Sequence, residues 1–318
     1  MNAMSAVSQK PTQKERKRTA LRSYIRNNYD LYLMLIPAML FYIIFKYIPI
    51  GGLQLAFKKY DFSLGIMGSP WVGFDVFQSL FKEKMFWRAT WNTVWLNILG
   101  ILIAFPMPII FALLLNELKN ERFKRVSQSI SYLPHFISWV ILYSIIVQFN
   151  QENTGLFNII NQAMGLPQRN YLTSKGSWLV LFLGTNIWKE SGWQAILYLS
   201  ALSAIDPGLY EAAAIDGAGR FKCAWHVTLP GIRSTIAIIL ILQVGKIMSM
   251  GFEKPFLFEN AMVKDIASVL SVYIYQQGVL NAKYALTTAA GLFQGIINYV
   301  LLLLADKVSK MCGEQGLL

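Results

Sequence analysis

Charged side chains are scarce in this sequence, so those set inside long apolar runs are the first candidates for chemistry. Lys189 and Glu190 stand side by side near the middle of one such run. A formal charge at the centre of a membrane helix costs about 2.5 to 3.5 kcal/mol on insertion scales, which marks both as functional candidates. On a helix, Asn186, Glu190 and Gln194 recur at i, i+4 and i+8 and form one polar stripe. Trp188 and Trp193 lie nearby and offer flat faces for stacking on sugar rings. Such a stripe should face protein or water, and two uses fit it equally: contact with a substrate, or an ion pair from Glu190 to a lysine on a neighbouring helix or subunit. Lys189 is turned about 100° from Glu190 at 3.6 residues per turn and does not share its face equally. Leu183 is expected to face lipid. Lys46 and Lys246 lie nearer the outer ends of their runs, where snorkelling to the headgroups is the favoured reading. If a substrate carries carboxylates, these two lysines attract them instead.

Other residues that invite a chemical reading support it less. His135, beside Pro134, has no accompanying nucleophile or metal set and reads as a hydrogen-bonded packing residue. The two cysteines, Cys223 and Cys312, and the two histidines, His135 and His226, are too scattered for a disulfide framework or a recognised metal site. No G-x-x-x-x-G-K-[ST] run is present, so no ATP site is expected in this chain. Asp206, Glu211 and Asp216 form an acidic set on a short loop whose spacing suits docking better than catalysis.

The elements that must position these residues follow from composition. Of 318 residues, 55% are apolar and 14% charged, with mean hydropathy +0.42, against roughly 25% charged in an ordinary soluble domain. The bilayer is the expected solvent. Crossing its core takes about 20 largely apolar helical residues. Stretches at 31–57, 89–116, 126–151, 176–205, 232–252 and 284–305 meet that length, so the fold expected is all-α with six transmembrane helices. Prolines at 37, 49, 106, 108 and 134 are expected to kink several of them. Thr287, Gly291 and Gly295 make a small-residue stripe for close approach, within the chain or to a second one. The formal net charge of +12 gathers partly in an N-terminal arm, residues 1–30, with Lys10, Lys14, Arg16, Lys17, Arg18, Arg22 and Arg26. By the positive-inside rule this arm and a tail at 306–318 are cytoplasmic, flanking a membrane domain at 31–305. The arm reads as a topology signal touching anionic lipid, not as a nucleic-acid binder.

One loop, residues 206–230, carries the strongest motif. Asp206 is placed to cap a helix beginning at Pro207, and Asp216-Gly217 is a stop-and-turn signal. A second short segment, Arg220 to Thr228, follows, and Pro230 leads into the fifth span. Ala212, Ala213 and Ala214 let another surface come close, with Glu211 available for an ion pair.

This loop resembles the E-A-A, three residues, G, nine residues, I-x-L-P motif of permease subunits of binding-protein-dependent ABC importers. Glu211, Ala212, Ala213, Gly217, Leu229 and Pro230 fall in register, and Val227 replaces the isoleucine. YLMLIPAMLFYIIFKYIPI, LAFKKYDFSLGIMGSPWVGF and ALLLNELKNERFKRVSQSISYLPHFISWV resemble the oligosaccharide and polysaccharide branch, which includes the alginate importer permeases. The resemblance implies a non-catalytic subunit in the bacterial inner membrane whose coupling helix, with Asp216 at its end, docks on an ATP-hydrolysing partner. It implies a second permease, two ATPase subunits that hold ATP and Mg, an extracytoplasmic sugar-binding protein and an oligosaccharide cargo. Two other classes stay open on the residues alone: an ion-coupled secondary transporter, which would carry its own coupling carboxylates, and an integral membrane glycan enzyme.

Overall fold

The computed structural model describes Tyr24, residues 27–311 and Gly313. Cys312 and the basic arm residues named above lie outside the described residues. The chain divides into two units, one ending at Leu55 and one beginning at Ala56.

Helix α1 (Tyr29–Phe57) makes up the described part of the first unit and ends just past its boundary. The second unit contains α2 (Asp75–Lys82), α3 (Lys84–Asn116), α4 (Glu121–Phe136), α5 (Trp139–Phe149), α6 (Leu156–Ala163) and α7 (Lys175–Leu202). It continues through α8 (Pro207–Ile215), α9 (Arg220–Gly231), α10 (Arg233–Val244), α11 (Glu253–Phe258), α12 (Leu270–Tyr275) and α13 (Tyr284–Met311). Among the described residues the extended pairing is a single bridge, Lys58 with Trp71.

Three helices, α1, α3 and α13, are each long and apolar enough to cross a membrane, and α4 with α5 and α9 with α10 pass the same test as bent pairs. That makes three to five apolar spans. α7 is 28 residues long, about 42 Å at 1.5 Å per residue, which exceeds a hydrocarbon core. It falls short in hydropathy, not in length. The residues that lower it include the polar stripe.

Proline explains where the helices distort. Pro49, Pro106 and Pro230 each follow a π-helical turn, Ile43–Tyr47, Gly100–Ala104 and Ala224–Thr228 respectively. A proline ring cannot bond the carbonyl four residues back and collides with it. That carbonyl belongs to residue 45, 102 or 226, the middle of the widened turn, so each π turn relieves one collision. Pro37 sits inside an unbroken helical segment, Tyr29–Tyr42, where a kink was expected.

Two expected spans are not continuous. At Pro134 the third tightens into a 3-10 turn, Leu133–Phe136, and α5 restarts at a 94° angle after Ser138. The Ser138 hydroxyl caps the new helix by accepting from the Ile141 amide. The fifth span, expected through Phe252, ends as helix at Val244; α9 and α10 meet at 63°. Its early stop has a packing reason. A side chain at Gly245 would put its Cβ 2.7 Å from Leu302 Cδ1 on α13. Gln294 and Asn298 on α13 then bond the freed groups at Met248 and Ser249. The last helix runs to Met311, past the expected limit at 305.

The core has three parts. Trp178, Phe182, Phe258 and Val263 gather around the first half of α7. Leu80, Phe86, Tyr273, Ala289 and Ala290 tie α2, α3, α12 and α13 together. Phe105, Ile109 and Ala112 of α3 meet Ala195, Tyr198 and Leu202 of α7. The small-residue stripe on α13 behaves unevenly. Thr287 is buried against Gly278, whereas a Cβ on Gly291 or Gly295 would meet open space. Close packing within the unit therefore accounts for one member of the stripe.

Candidate functional site

Asn186, Glu190 and Gln194 all line a polar cavity of about 360 Å³ with Asn97, Gln243 and Lys246. A second cavity of about 500 Å³ shares Asn97, Asn186, Glu190, Gln194 and Ser249 with it and extends to Trp139, Phe182 and Lys254. The two form one trough. Its walls are α3, α7, α10, the irregular chain that follows α10, and the starts of α5 and α11 at Trp139 and Lys254. That irregular chain is held from across the unit: the Asn97 side-chain amide donates to the Ile247 carbonyl at 3.0 Å.

Lys189 has a different role from the one its depth suggested. It is 5% exposed. Its ammonium donates to the His135 carbonyl and, at 3.5 Å, to the Pro134 carbonyl. Those carbonyls lie in the 3-10 turn where the third span breaks; the Pro134 carbonyl also accepts from the Ile137 amide at 3.1 Å, and carbonyls at a helix end need partners from outside the helix. Lys189 therefore caps the break and is not free to contact a substrate. Its aliphatic neighbour on the helix, Leu183, is also reassigned: it is buried in the core and lines the trough instead of facing lipid.

Glu190 joins the cap to the cavity. One carboxylate oxygen lies 2.8 Å from His135 Nδ1, and the other lies 3.7 Å from Lys189 Nζ. His135 in turn stacks on Trp193, ring centroids 4.5 Å apart and planes 2° from parallel. His135 is thus a hydrogen-bonded packing residue, and Glu190 has a lysine partner on its own helix. Trp193 is occupied by the imidazole and does not line the trough. Trp188 does not line it either; it opens onto a separate groove with Leu133, Pro134 and Ser191. Neither tryptophan offers its ring to a sugar held in the trough. α4 and α7 approach closely here, since a Cβ on Gly192 would fall 2.1 Å from the Ser131 carbonyl oxygen.

Asn97, Gln243 and Lys254 were not among the sequence candidates. The first two are uncharged amides inside apolar runs, invisible to a search for formal charge. Lys254 follows the expected end of the fifth span. Its ammonium is bonded to Asn186 Oδ1 at 3.3 Å and lies over the Phe182 ring at 3.8 Å and the Trp139 ring at 5.1 Å. Lys46 lies exposed in the π-helical turn of α1.

The loop around α8 forms as its local signals require. Asp206 Oδ1 accepts from the Gly208 amide at 3.0 Å, capping the helix at Pro207. Gly217 ends it with φ +73°, a conformation that favours glycine. The Ala218 amide closes back on the Ala213 carbonyl at 2.9 Å. Glu211, Ala212 and Asp216 are exposed, Ala213 half-buried, and Leu229 and Pro230 belong to α9. Beside them, Ile215, Phe221 and Trp225 are 87%, 93% and 70% exposed, a large apolar surface for so short a loop.

The family model described as "Binding-protein-dependent transport system inner membrane component" matches residues 97–311. The chain is 42% identical over 287 residues to Protein LplB of Bacillus subtilis (strain 168), covering 90% of each chain. It is 40% identical over 304 residues to the polygalacturonan/rhamnogalacturonan transport system permease protein YteP of the same organism, covering 96% of this chain and 94% of that one. Among solved structures it superposes on a chain of a bacterial ABC transporter involved in the import of the acidic polysaccharide alginate. That match has a TM-score of 0.84 and 39% identity, with 92% of this chain and 99% of the other covered.

Proposed function

This chain belongs to the family of binding-protein-dependent transport system inner membrane components, and from that membership we propose that it is the permease subunit of an ATP-driven importer of acidic oligosaccharides. Membership sets aside the secondary transporter and the glycan enzyme. Alginate and polygalacturonan, the cargoes named for two relatives, are both polyuronates, which supports the acidic class.

The trough lined by Asn186, Glu190 and Gln194 carries the reading within the chain. In this proposal it is part of the pathway, opened and closed by alternating access. Six spans are proposed: α1, α3, α4 with α5, α7, α9 with α10, and α13. A pathway-lining helix is the least apolar of a bundle, which accounts for the low hydropathy of α7. Both termini and α8 then lie in the cytoplasm. There α8 is the coupling helix, with Glu211, Ala212, Ala213, Asp216 and Gly217 seated on one of two ATPase subunits that bind ATP and Mg. Leu229 and Pro230 join that loop to the membrane. A second permease completes the pathway, and an extracytoplasmic binding protein delivers the cargo.

Cysteine accessibility tests the pathway. Single cysteines at positions 186, 190 and 194 are expected to react with a small water-soluble thiol reagent, and transported oligosaccharide should protect at least one. Position 180, where Val180 is 71% exposed on the same helix, is the lipid-facing reference. Equal inertness at all four positions would move the pathway elsewhere.

A further inference from the structure

The trough contains one cation whose position in the fold is not explained by packing. Lys189 and Lys254 are both buried on the same side of α7, at 5% and 9% exposure, yet their surroundings differ. Lys189 has two backbone carbonyls and the Glu190 carboxylate around its ammonium. Lys254 has a single amide oxygen, Asn186 Oδ1, at 3.3 Å. Among the described residues no carboxylate stands within 4.0 Å of it. Its other near neighbours are the faces of Phe182 and Trp139.

An ammonium carries three donors, so two of them have no protein acceptor. A buried cation without a counter-ion in contact is costly to keep, and Glu190, in the same trough, acts on it only from beyond ion-pair distance. Aromatic faces recover part of that cost through the ring quadrupole, and they leave the unspent donors free. Those donors sit at a residue lining the trough. Lys246, exposed, lines the same trough in its other part.

We propose that Lys254 is a specificity-determining residue that binds the carboxylate of a uronate unit of the cargo in the trough, with Lys246 available to a second carboxylate further along. This rests on the reading of the trough as a pathway for oligosaccharides and adds to it the group that recognises charge. An anion at this position supplies a contacting counter-ion and the missing acceptors together. Trp139, in the same wall, adds an apolar face against which a sugar ring can lie.

Charge rescue tests the assignment in the complete complex, reconstituted with its partner permease, ATPase subunits and binding protein. Lys254→Cys is made in a chain carrying Cys223→Ser and Cys312→Ser, and uptake of short oligogalacturonides and alginate oligomers is followed. The cysteine variant is expected to raise the half-saturating concentration by about tenfold or more, the scale of a lost charge-assisted hydrogen bond. Modification with an aminoethyl thiosulfonate restores a cation and should recover most of the loss. A neutral thiosulfonate of similar size should not. Equal recovery with both reagents, or no loss in the cysteine variant, would overturn the role of Lys254 and leave the pathway standing. Uptake of neutral oligosaccharides alone by the unsubstituted complex would overturn the charge assignment while keeping the sugar reading. A complex that moves neither class would remove both.

Discussion

The trough beside α7 and the loop that carries α8 are assembled by opposite means. The bonds that start and end α8 are local: Asp206 to the Gly208 amide, the Ala218 amide to Ala213, and the turn at Gly217, with Tyr210 reaching no further than Thr228 in α9. The trough depends on residues far apart in sequence. Lys189 caps carbonyls 54 and 55 positions earlier, and Asn97 reaches a carbonyl 150 positions later. One region is therefore robust to changes elsewhere but exposes its apolar side chains. The other hides its polar groups but fails if any one helix shifts.

That contrast predicts that the largest single effect falls where helices cross most closely. Gly192→Ala would place a Cβ 2.1 Å from the Ser131 carbonyl oxygen, too near for backbone to yield cheaply. It should destabilise the second unit by about 3 kcal/mol or more, as overpacking does at its upper range. Gly184→Ala on the same helix meets nothing within 4 Å and should be neutral or stabilising by up to about 1 kcal/mol. Denaturant unfolding of the purified permease in detergent compares the two. Equal midpoints would mean that α4 and α7 do not cross as described.

Next in size is Lys189→Met. The substitution keeps the apolar stem but removes the donor to the His135 carbonyl, leaving Pro134 with the Ile137 amide and Glu190 with His135. Leaving a buried acceptor unpaired costs about 1 to 3 kcal/mol. The loss should appear as lower stability even without substrate. If Lys189→Met were fully stable and lost only uptake, the lysine would be a cargo residue after all, as its depth first suggested.

The same contrast accounts for what was readable from sequence. The cap at Asp206, the stop at Gly217 and the stripe of Asn186, Glu190 and Gln194 depend on spacings of a few residues, so they were legible. The 94° break after Phe136 was not, because Pro134 sits equally well in a kinked continuous helix; Ser138 as a new cap was the overlooked signal. Lys254 was missed for a related reason. Its importance comes from a fold that brings it to Asn186, 68 positions away, after a span that stops eight residues sooner than hydropathy implied. Trp188 and Trp193 show the reverse error. Trp188, two positions from Glu190, leaves its face, whereas Trp193, three positions on, is kept from the trough by its stacking on His135.

In the loop the effect on stability should be smaller than its effect on coupling. Gly217→Ala forces a side chain into φ +73° with open space around it, at a cost of about 1 to 2 kcal/mol. Much of that strain can be relieved by fraying the end of α8, because Ile215 and Asp216 are exposed there. The variant should insert and fold, yet show reduced substrate-stimulated ATP hydrolysis in the reconstituted complex. Glu211→Ala should share that phenotype with no loss of stability, its side chain being exposed. Unchanged ATPase stimulation in both would separate this loop from energy coupling.

The smallest effect should be a pH dependence confined to the trough. Lys254 lies outside the apolar spans, and burial pushes its amine down to about 7, with the Glu190 carboxylate pulling it partly back. The amine is charged below that value and neutral above it. A bound carboxylate favours the charged form, so it raises the amine's pKa in the complex. Affinity for an acidic oligosaccharide should then be constant below about pH 6 and weaken as pH rises through 7, by about fivefold between 7 and 8. The other ionisable groups near the amine are Glu190 and Lys189 on α7, Glu253 on α11, and His135 on α4, which is bonded to Glu190. Lys254→Arg separates them, because a guanidinium stays charged throughout this range. The arginine variant should bind with a flat profile from pH 6 to 8. If it keeps the wild-type slope, the titrating group is not Lys254.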